Sequence, residues 1–152
     1  MTDMTDMANK IWDFHGGLHV DDHKRDSNQA PIQTCPIPQR LVLPLQQHIG
    51  HIAEPAVQIG EQVLKGQIIA RAVDYVSANI HAPTSGQVVD ISEQPIAHPS
   101  GLNAPCIVIE SDQQDRWAEL PAPIEDFQQT DPAVLRERLR WAGVVGLGGA
   151  VF

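Results

Sequence analysis

The sequence is poor in cysteine, and that shortage excludes several kinds of site. Only two of the 152 residues are cysteines, Cys35 and Cys106, and neither belongs to a CxxC pair. This pattern argues against a disulfide scaffold and against a paired-cysteine zinc or redox motif. A four-iron cluster takes about four thiolates, so two cysteines cannot hold one. We interpret both residues as buried, reduced thiols of a protein in a reducing compartment.

Long apolar runs and an excess of positive charge are also missing. No apolar stretch approaches the roughly 20 residues that span a bilayer. The first ten residues, MTDMTDMANK, lack the basic start and apolar core of a secretory signal. The chain carries 19 acidic against 10 basic residues, a net charge of −9. This charge argues against binding to nucleic acid or to an anionic membrane surface. We expect a cytosolic chain with no direct membrane span, able to dock on a membrane partner.

Residues 1–35 have glycines and charges but little periodicity, which predicts an extended N-terminal arm made mostly of loop. His15, His19 and His23 are spaced four apart, as metal ligands on one helix face would be. Gly16 and Gly17 would break such a helix. We therefore interpret the three imidazoles as solvated loop side chains, with a metal site as the weaker alternative.

Residues 36–110 are rich in proline and β-branched residues and show no long helical periodicity. Short apolar runs alternate with Gly, Pro, Asn or Asp: RLVLPL, AVQIG, QVLKGQIIARAV, GQVVDIS and PCIVIES. Short strands with frequent turns predict a mainly β sandwich or barrel. The other single histidines accompany no GxSxG motif or Ser-His-Asp order. We interpret His48, His51, His81 and His98 as surface groups or hydrogen-bonded core groups.

Two consecutive stretches form a paired hairpin pattern. VQIGEQVLKGQIIA (57–70) carries two glycine turns around a short strand, and IHAPTSGQVVDI (80–91) carries the matching corner. This resembles the two halves of a biotinyl or lipoyl carrier domain, a barrel-sandwich hybrid. A carrier attaches its prosthetic arm to a lysine at the hairpin tip, but the tip here reads VDYVSAN and the last lysine is Lys65. The sequence thus predicts the carrier architecture without the carrier function.

The region after the hairpins is predicted to be a polar linker over residues 111–130, anchored on the surface by Trp117 and Phe127. A helix should follow, with Thr130 or Asp131 as its N-cap, Pro132 in its first turn and Gly143 as its left-handed end. Arg138 falls within the apolar arc of this helix, so it should either snorkel outward or meet a partner.

The last residues contain a glycine-rich stretch, with Gly146, Gly148 and Gly149 after a short apolar run. Glycines allow close backbone approach to a phosphate, so the three are candidate flavin or nucleotide contacts. The motif alone is weak, because a dinucleotide fingerprint also needs a helix after the loop. A glycine turn with no ligand is the alternative.

Taken together, several blocks in order resemble the N-terminal part of the RnfC family, a subunit family of the Rnf ion-translocating electron-transport complex. The blocks are WDFHGGLH (12–19), PLQQHIG (44–50), VQIGEQVLKGQ (57–67), HAPTSGQVVDI (81–91), AHPSGL (97–102) and AGVVGLGGAVF (142–152). The resemblance implies that residues 36–110 form a barrel-sandwich module and that 131–152 are the truncated start of a flavin and NADH domain. Val151 stands where the glycine loop of that family has another glycine.

The resemblance also implies a function. Such subunits are peripheral on the cytoplasmic face of the bacterial inner membrane and work with the other subunits of the complex. They exchange electrons between NADH and ferredoxin-type carriers, coupled to ion transport, and the full-length protein holds FMN and two 4Fe-4S clusters. This segment would be structural, with no cofactor of its own. The alternative is a stand-alone, non-catalytic docking module.

Overall fold

The computed structural model describes residues 15–17 and 20–146. The chain divides into two compact units, residues 1–35 and 36–152. In the first unit the described residues are exposed, and one helical turn, α1, covers Lys24–Ser27. Loop was predicted there, but the carboxylates of Asp21 and Asp22 accept the backbone N–H groups of His23 and Lys24. These short-range bonds favour a turn, as aspartates near helix starts commonly do.

The second unit is built on two antiparallel sheets. Its strands are β1 (Arg40–Pro44), β2 (Glu54–Pro55), β3 (Gln62–Val63), β4 (Ile68–Arg71), β5 (Ile80–His81), β6 (Gly86–Pro95) and β7 (Asn103–Ser111), followed by helix α2 (Pro132–Trp141). One sheet has the order β1-β7-β6-β3 and the other the order β2-β4-β5. This mainly β arrangement of short strands and little helix confirms the predicted barrel-sandwich class.

The apolar side chains of both sheets form one core. Its fully buried members include Val63, Ile69, Val88, Ile107 and Ile109. They come from β3, β4, β6 and β7, so neither hairpin half buries its apolar face alone. Burial of this kind is the main favourable term in folding.

The two glycine turns of the first hairpin half are present, with Gly60 at φ 91° and Gly66 at φ 82°. The run QVLKGQIIARAV splits at the second turn into β3 and β4. The run AVQIG was wrongly predicted as a strand. Its backbone bonds go singly to different partners, from Ala56 N–H to the Ile69 carbonyl and from Gly60 N–H to the Val88 carbonyl. A strand needs a ladder to one neighbour.

The cysteine prediction was right for one residue and wrong for the other. Cys106 on β7 is buried, and burial raises the pKa of its thiol. Cys35 is exposed, at the edge of the first unit. The sequence around Cys35 is rich in proline and polar residues, and it contributes nothing to the core.

The linker after β7 is fastened at Lys65, in the turn between β3 and β4. The backbone of Lys65 pairs with Trp117 in a short parallel bridge, and its Nζ lies 4.7 Å from the centre of the Trp117 ring. The same Nζ bonds Asp115 at 2.6 Å. The predicted anchoring by Trp117 is thus confirmed, whereas the anchoring by Phe127, whose side chain is 61% exposed, stays a prediction.

Helix α2 begins and ends where the sequence predicts. Asp131 is the N-cap, accepting the Ala133 N–H at 2.8 Å, and Gly143 has φ 66° just after the last turn. Arg138 meets a partner, donating to the Ala122 carbonyl at 2.9 Å. The helix nevertheless leaves large apolar side chains exposed, among them Val134 and Leu139.

Candidate functional site: the hairpin tip and its helix

The hairpin tip, residues 73–79, joins β4 to β5 at the position where a carrier domain would bear its prosthetic group. It carries no lysine. Instead Asn79 closes the base of the tip, its Oδ1 accepting the Ala72 N–H at 2.9 Å. Asp74 accepts the Val76 N–H at 2.9 Å, which shapes the turn. Side-chain acceptors of this kind fix a loop without a β-ladder.

Residues 46–51 brace the tip from the side. His51 N–H donates to the Val76 carbonyl, and Ser77 Oγ donates to the His51 carbonyl at 3.0 Å. The His51 ring also pairs with the Asp74 carboxylate. A Cβ at Gly50 would lie 2.2 Å from the Val76 carbonyl oxygen, so glycine is the residue that permits this approach. The preceding loop therefore contacts the tip through backbone and side-chain bonds.

His48 makes the remaining bond of this brace. Its Nε2 accepts the Ala78 N–H at 3.1 Å, and its Nδ1 lies 2.7 Å from the Ile49 carbonyl oxygen. These two partners fix the neutral tautomer, with the proton on Nδ1. The sequence-based interpretation of His48, His51 and His98 as surface or hydrogen-bonded groups is confirmed; His98 bonds Ser100.

Helix α2 lies against this tip. Asn79 Nδ2 donates to the Trp141 carbonyl at 3.2 Å, and the Arg140 guanidinium donates to the Asp74 carbonyl at 3.1 Å. The same guanidinium lies 5.1 Å from the Tyr75 ring centre, within cation–π range. We call these tip residues and their neighbour His81 the socket.

Two features make the helix end fit closely. The ring of Trp141 meets His81 edge-on, with centroids 5.4 Å apart and planes at 67°. A Cβ on Gly143 would lie 2.5 Å from the Asn79 carbonyl oxygen. Gly143 therefore serves twice, since its left-handed φ ends the helix and its missing side chain lets the chain pass the tip.

His81 departs from the sequence-based interpretation. Its Nε2 is buried and has no hydrogen-bond partner among the described residues. Burial also lowers the pKa of His81 below 6.5, because a charged ring is harder to accommodate away from water. The histidine is thus neither a surface group nor a satisfied core group. No local motif in the sequence predicts this environment of His81, because the ring that contacts it belongs to Trp141, far along the chain.

A groove of about 430 Å³ runs between the tip, α2 and the residues that follow the helix. Apolar and cationic side chains share its lining: Tyr75, Leu139, Val144 and Val145 with Arg136 and Arg140. Gly146, one of the three predicted phosphate contacts, also lines this groove. Gly148 and Gly149 lie outside the described residues.

No cluster of three or more metal-binding side chains occurs among residues 15–17 and 20–146. His15 and His23 of the weaker metal-site alternative are within that range, whereas His19 is not described. In the same part of the chain no helix is long and apolar enough to cross a bilayer.

The chain thus has a carrier-type barrel whose tip lacks the carrier amine and contacts helix α2. The family described as the RnfC barrel sandwich hybrid domain matches residues 12–114. The chain belongs to this family. The matched range contains both sheets of the barrel-sandwich and the whole hairpin tip, and it ends before α2.

Relatives named as the C subunit of an ion-translocating oxidoreductase complex match over nearly the whole chain. The protein of Vibrio cholerae serotype O1 is 48% identical over 145 residues, which are 95% of this chain and 19% of the relative. That of Pseudomonas aeruginosa is 52% identical over 139 residues, 91% of this chain and 18% of the relative. The chain spans about a fifth of the length of the curated relatives it matches, and these matches are longer than the match to the family domain.

Proposed function

We propose that this chain is the scaffold part of the C subunit of an ion-translocating oxidoreductase complex. In this role the barrel-sandwich module holds and orients the segment that starts the flavin and NADH domain, and it transfers no electrons. The observation that carries the proposal is the socket, where the hairpin tip is used to bind α2. The names of the relatives support the assignment to the complex.

The chemistry of the tip supports a holding role over a carrier role. A swinging carrier needs an exposed amine on a tip that is free to move between sites. Here the more exposed of the large hydrophobic tip residues is Tyr75, whose ring lies 5.1 Å from the Arg140 guanidinium of α2. Asn79 and Asp74 bond the helix backbone and side chain from the same tip. These contacts to α2 favour a tip that holds the helix over a tip that swings.

The cofactors expected for the full-length family fit this chain poorly. A four-iron cluster takes about four thiolates. The chain has two, an exposed Cys35 and a Cys106 whose thiol is buried in β7. For FMN, Gly146 at the groove is the one predicted contact within the described residues. We therefore assign the FMN, NADH and two 4Fe-4S sites of the family to parts of the full-length protein other than this module.

The expected location follows from the complex. We assign the module to the cytoplasmic face of the bacterial inner membrane, as part of a peripheral subunit, with the other subunits of the complex as its partners. Exposed apolar residues on α2 and beyond it, such as Val134 and Val144, provide a surface for further protein contacts.

A chimera tests the scaffold role. This chain would replace the matched segment of the Vibrio cholerae relative, with and without Gly143→Val, and FMN content and NADH-dependent electron transfer would be measured. The native chimera should assemble and be active. The Gly143→Val chimera should lose activity or FMN while its barrel stays folded, because the added side chain displaces α2 from the tip. Ala142→Ser is the matched control.

Full activity of the Gly143→Val chimera would contradict the scaffold role. A native chimera that folds but neither assembles nor functions would favour the alternative, a stand-alone docking module.

A further inference from the structure

The contact between His81 and Trp141 includes a buried polar atom, which a purely structural contact does not need. The two rings meet edge-on, yet the Nε2 of His81 is buried and without a partner among the described residues. A buried polar atom without a hydrogen bond costs free energy, and native proteins keep few of them. A phenylalanine there would leave no unsatisfied polar atom. The imidazole adds one thing, the ability to take up a proton.

We propose that protonation of His81 releases α2 from the socket, so that acid weakens the contact on which the proposed scaffold function depends. Proton uptake at the free ring nitrogen makes both nitrogens N–H donors and places a positive charge on the ring. With α2 in place, the buried Nε2–H then has neither an acceptor nor solvent. Departure of the helix would expose the imidazolium to water.

The charged groups on α2 do not offset this cost. Arg138 and Arg140 flank Trp141 in sequence, and both are cations already bonded elsewhere, to Ala122 and Asp74. Glu137 lies on α2 and lines the groove, whereas His81 is not among the groove residues. Across the ladder, His81 pairs with the apolar Ile68. Burial is accordingly the cause of the lowered pKa of His81.

The loop that braces the tip contributes two further imidazoles, which lie outside the socket. His48 accepts the Ala78 N–H at Nε2, so its bond is to the tip. The His51 ring pairs with the Asp74 carboxylate. Of the three rings, His81 is the one with a ring contact to α2. His81 is therefore the residue whose removal should abolish the pH response of the helix.

The direction of the effect follows from linkage. Burial lowers the pKa of His81 while α2 is bound, and exposure of the ring on release would raise that pKa towards its ordinary value. The released state thus binds more protons, so the contact is fully stable above about pH 6.5 and weakens as the pH falls. One linked proton changes the equilibrium by at most about tenfold per pH unit.

The test uses the 152-residue chain labelled with 5-fluorotryptophan and followed by fluorine NMR from pH 8 to pH 5. Trp141→Phe and Trp117→Phe identify these two among the three tryptophan signals. Trp117 reports on the linker, and circular dichroism monitors the barrel. In the native chain the Trp141 signal should move to its solvent-exposed position with a midpoint below pH 6.5, while the Trp117 signal and the barrel stay unchanged. His98→Gln, which removes an exposed imidazole outside the socket, should titrate like the native chain.

Two variants decide the role of His81. His81→Phe keeps a ring against Trp141 but takes up no proton, so Trp141 should stay bound down to pH 5. If the larger ring displaces α2 at every pH, His81→Gln decides, since its bound fraction should be equal at pH 8 and pH 5. A native Trp141 signal that stays bound at pH 5, or an unchanged pH response in His81→Gln, would overturn the inference. Trp141 already exposed at pH 8 in the native chain would instead refute the proposed scaffold function.

Discussion

Asp112 shows how one residue ties the linker to the barrel. Its Oδ1 accepts Ser85 Oγ at 2.7 Å and Gln114 N–H at 2.9 Å, and its Oδ2 pairs with Arg116 at 2.6 Å. The bond from Arg116, followed by that from Ser85, lowers the pKa of Asp112 from 3.8 to about 2. Each partner bonds the charged form, so the carboxylate is favoured in the folded chain.

We expect this carboxylate to make folding sensitive to strong acid. Because the pKa of Asp112 is lower in the folded chain than in the unfolded chain, its stabilisation is complete above about pH 4 and is lost as the pH falls towards 2. Urea unfolding across this range should show the free energy of unfolding decreasing with acid. Asp112→Asn should be less stable at pH 7 and show a flatter decrease, whereas Glu119→Gln, at an exposed linker position, should follow the native profile. Parallel curves for Asp112→Asn and the native chain would contradict the assignment.

Helices and strands were easiest to predict where the residues that mark their ends lie close to them in the sequence. The N-cap Asp131, the first-turn Pro132 and the terminal Gly143 lie within the segment that they delimit, and the helix forms where they indicate. The glycine turns at Gly60 and Gly66 likewise set the ends of short strands. The contact between α2 and the tip joins Asn79 to Trp141 across 62 residues. No periodicity or spacing in one sequence encodes such a pairing, so the socket became visible only in the fold.

Substitution of Gly143 is the most direct way to break the contact between helix α2 and the hairpin tip. An alanine there would adopt a left-handed φ, at a cost of about 1–2 kcal/mol, and its Cβ would lie 2.5 Å from the Asn79 carbonyl oxygen. A cost of about 1.4 kcal/mol is a factor of ten in an equilibrium, so we expect α2 to leave the tip at least about tenfold more often. Trypsin should therefore cut at Arg136, Arg138 and Arg140 correspondingly faster in Gly143→Ala.

The control for this experiment is Ala142→Ser, which changes an exposed neighbour without affecting φ or the approach to Asn79. Its cleavage rate should match that of the native chain. Equal rates for Gly143→Ala and Ala142→Ser would mean that α2 is held by contacts other than those of the socket.

At the scale of the whole molecule, the fold class was predictable because the two hairpin halves repeat one sequence pattern. Glycine turns and short β-branched runs recur at 57–70 and 80–91, and each half exposes an apolar face that the other covers. The sheet order was not predictable, since β1 at the start of the module pairs with β7 at its end. Strand β2, Glu54–Pro55, was missed because neither residue has the β-branched or aromatic side chain that marks a strand.

Flavin binding by the chain as a whole can be predicted from the element that precedes the glycines. A phosphate loop of the dinucleotide type needs a strand before its glycines and a helix after them. In this chain the element before the glycines is α2, and its end is fixed by the hairpin tip. We therefore expect the purified 152-residue chain to bind no measurable FMN in a titration that follows flavin fluorescence. The full-length Vibrio cholerae relative is the positive control. Tight FMN binding by the short chain would show that the module is itself a flavin site, and the scaffold role would fail with it.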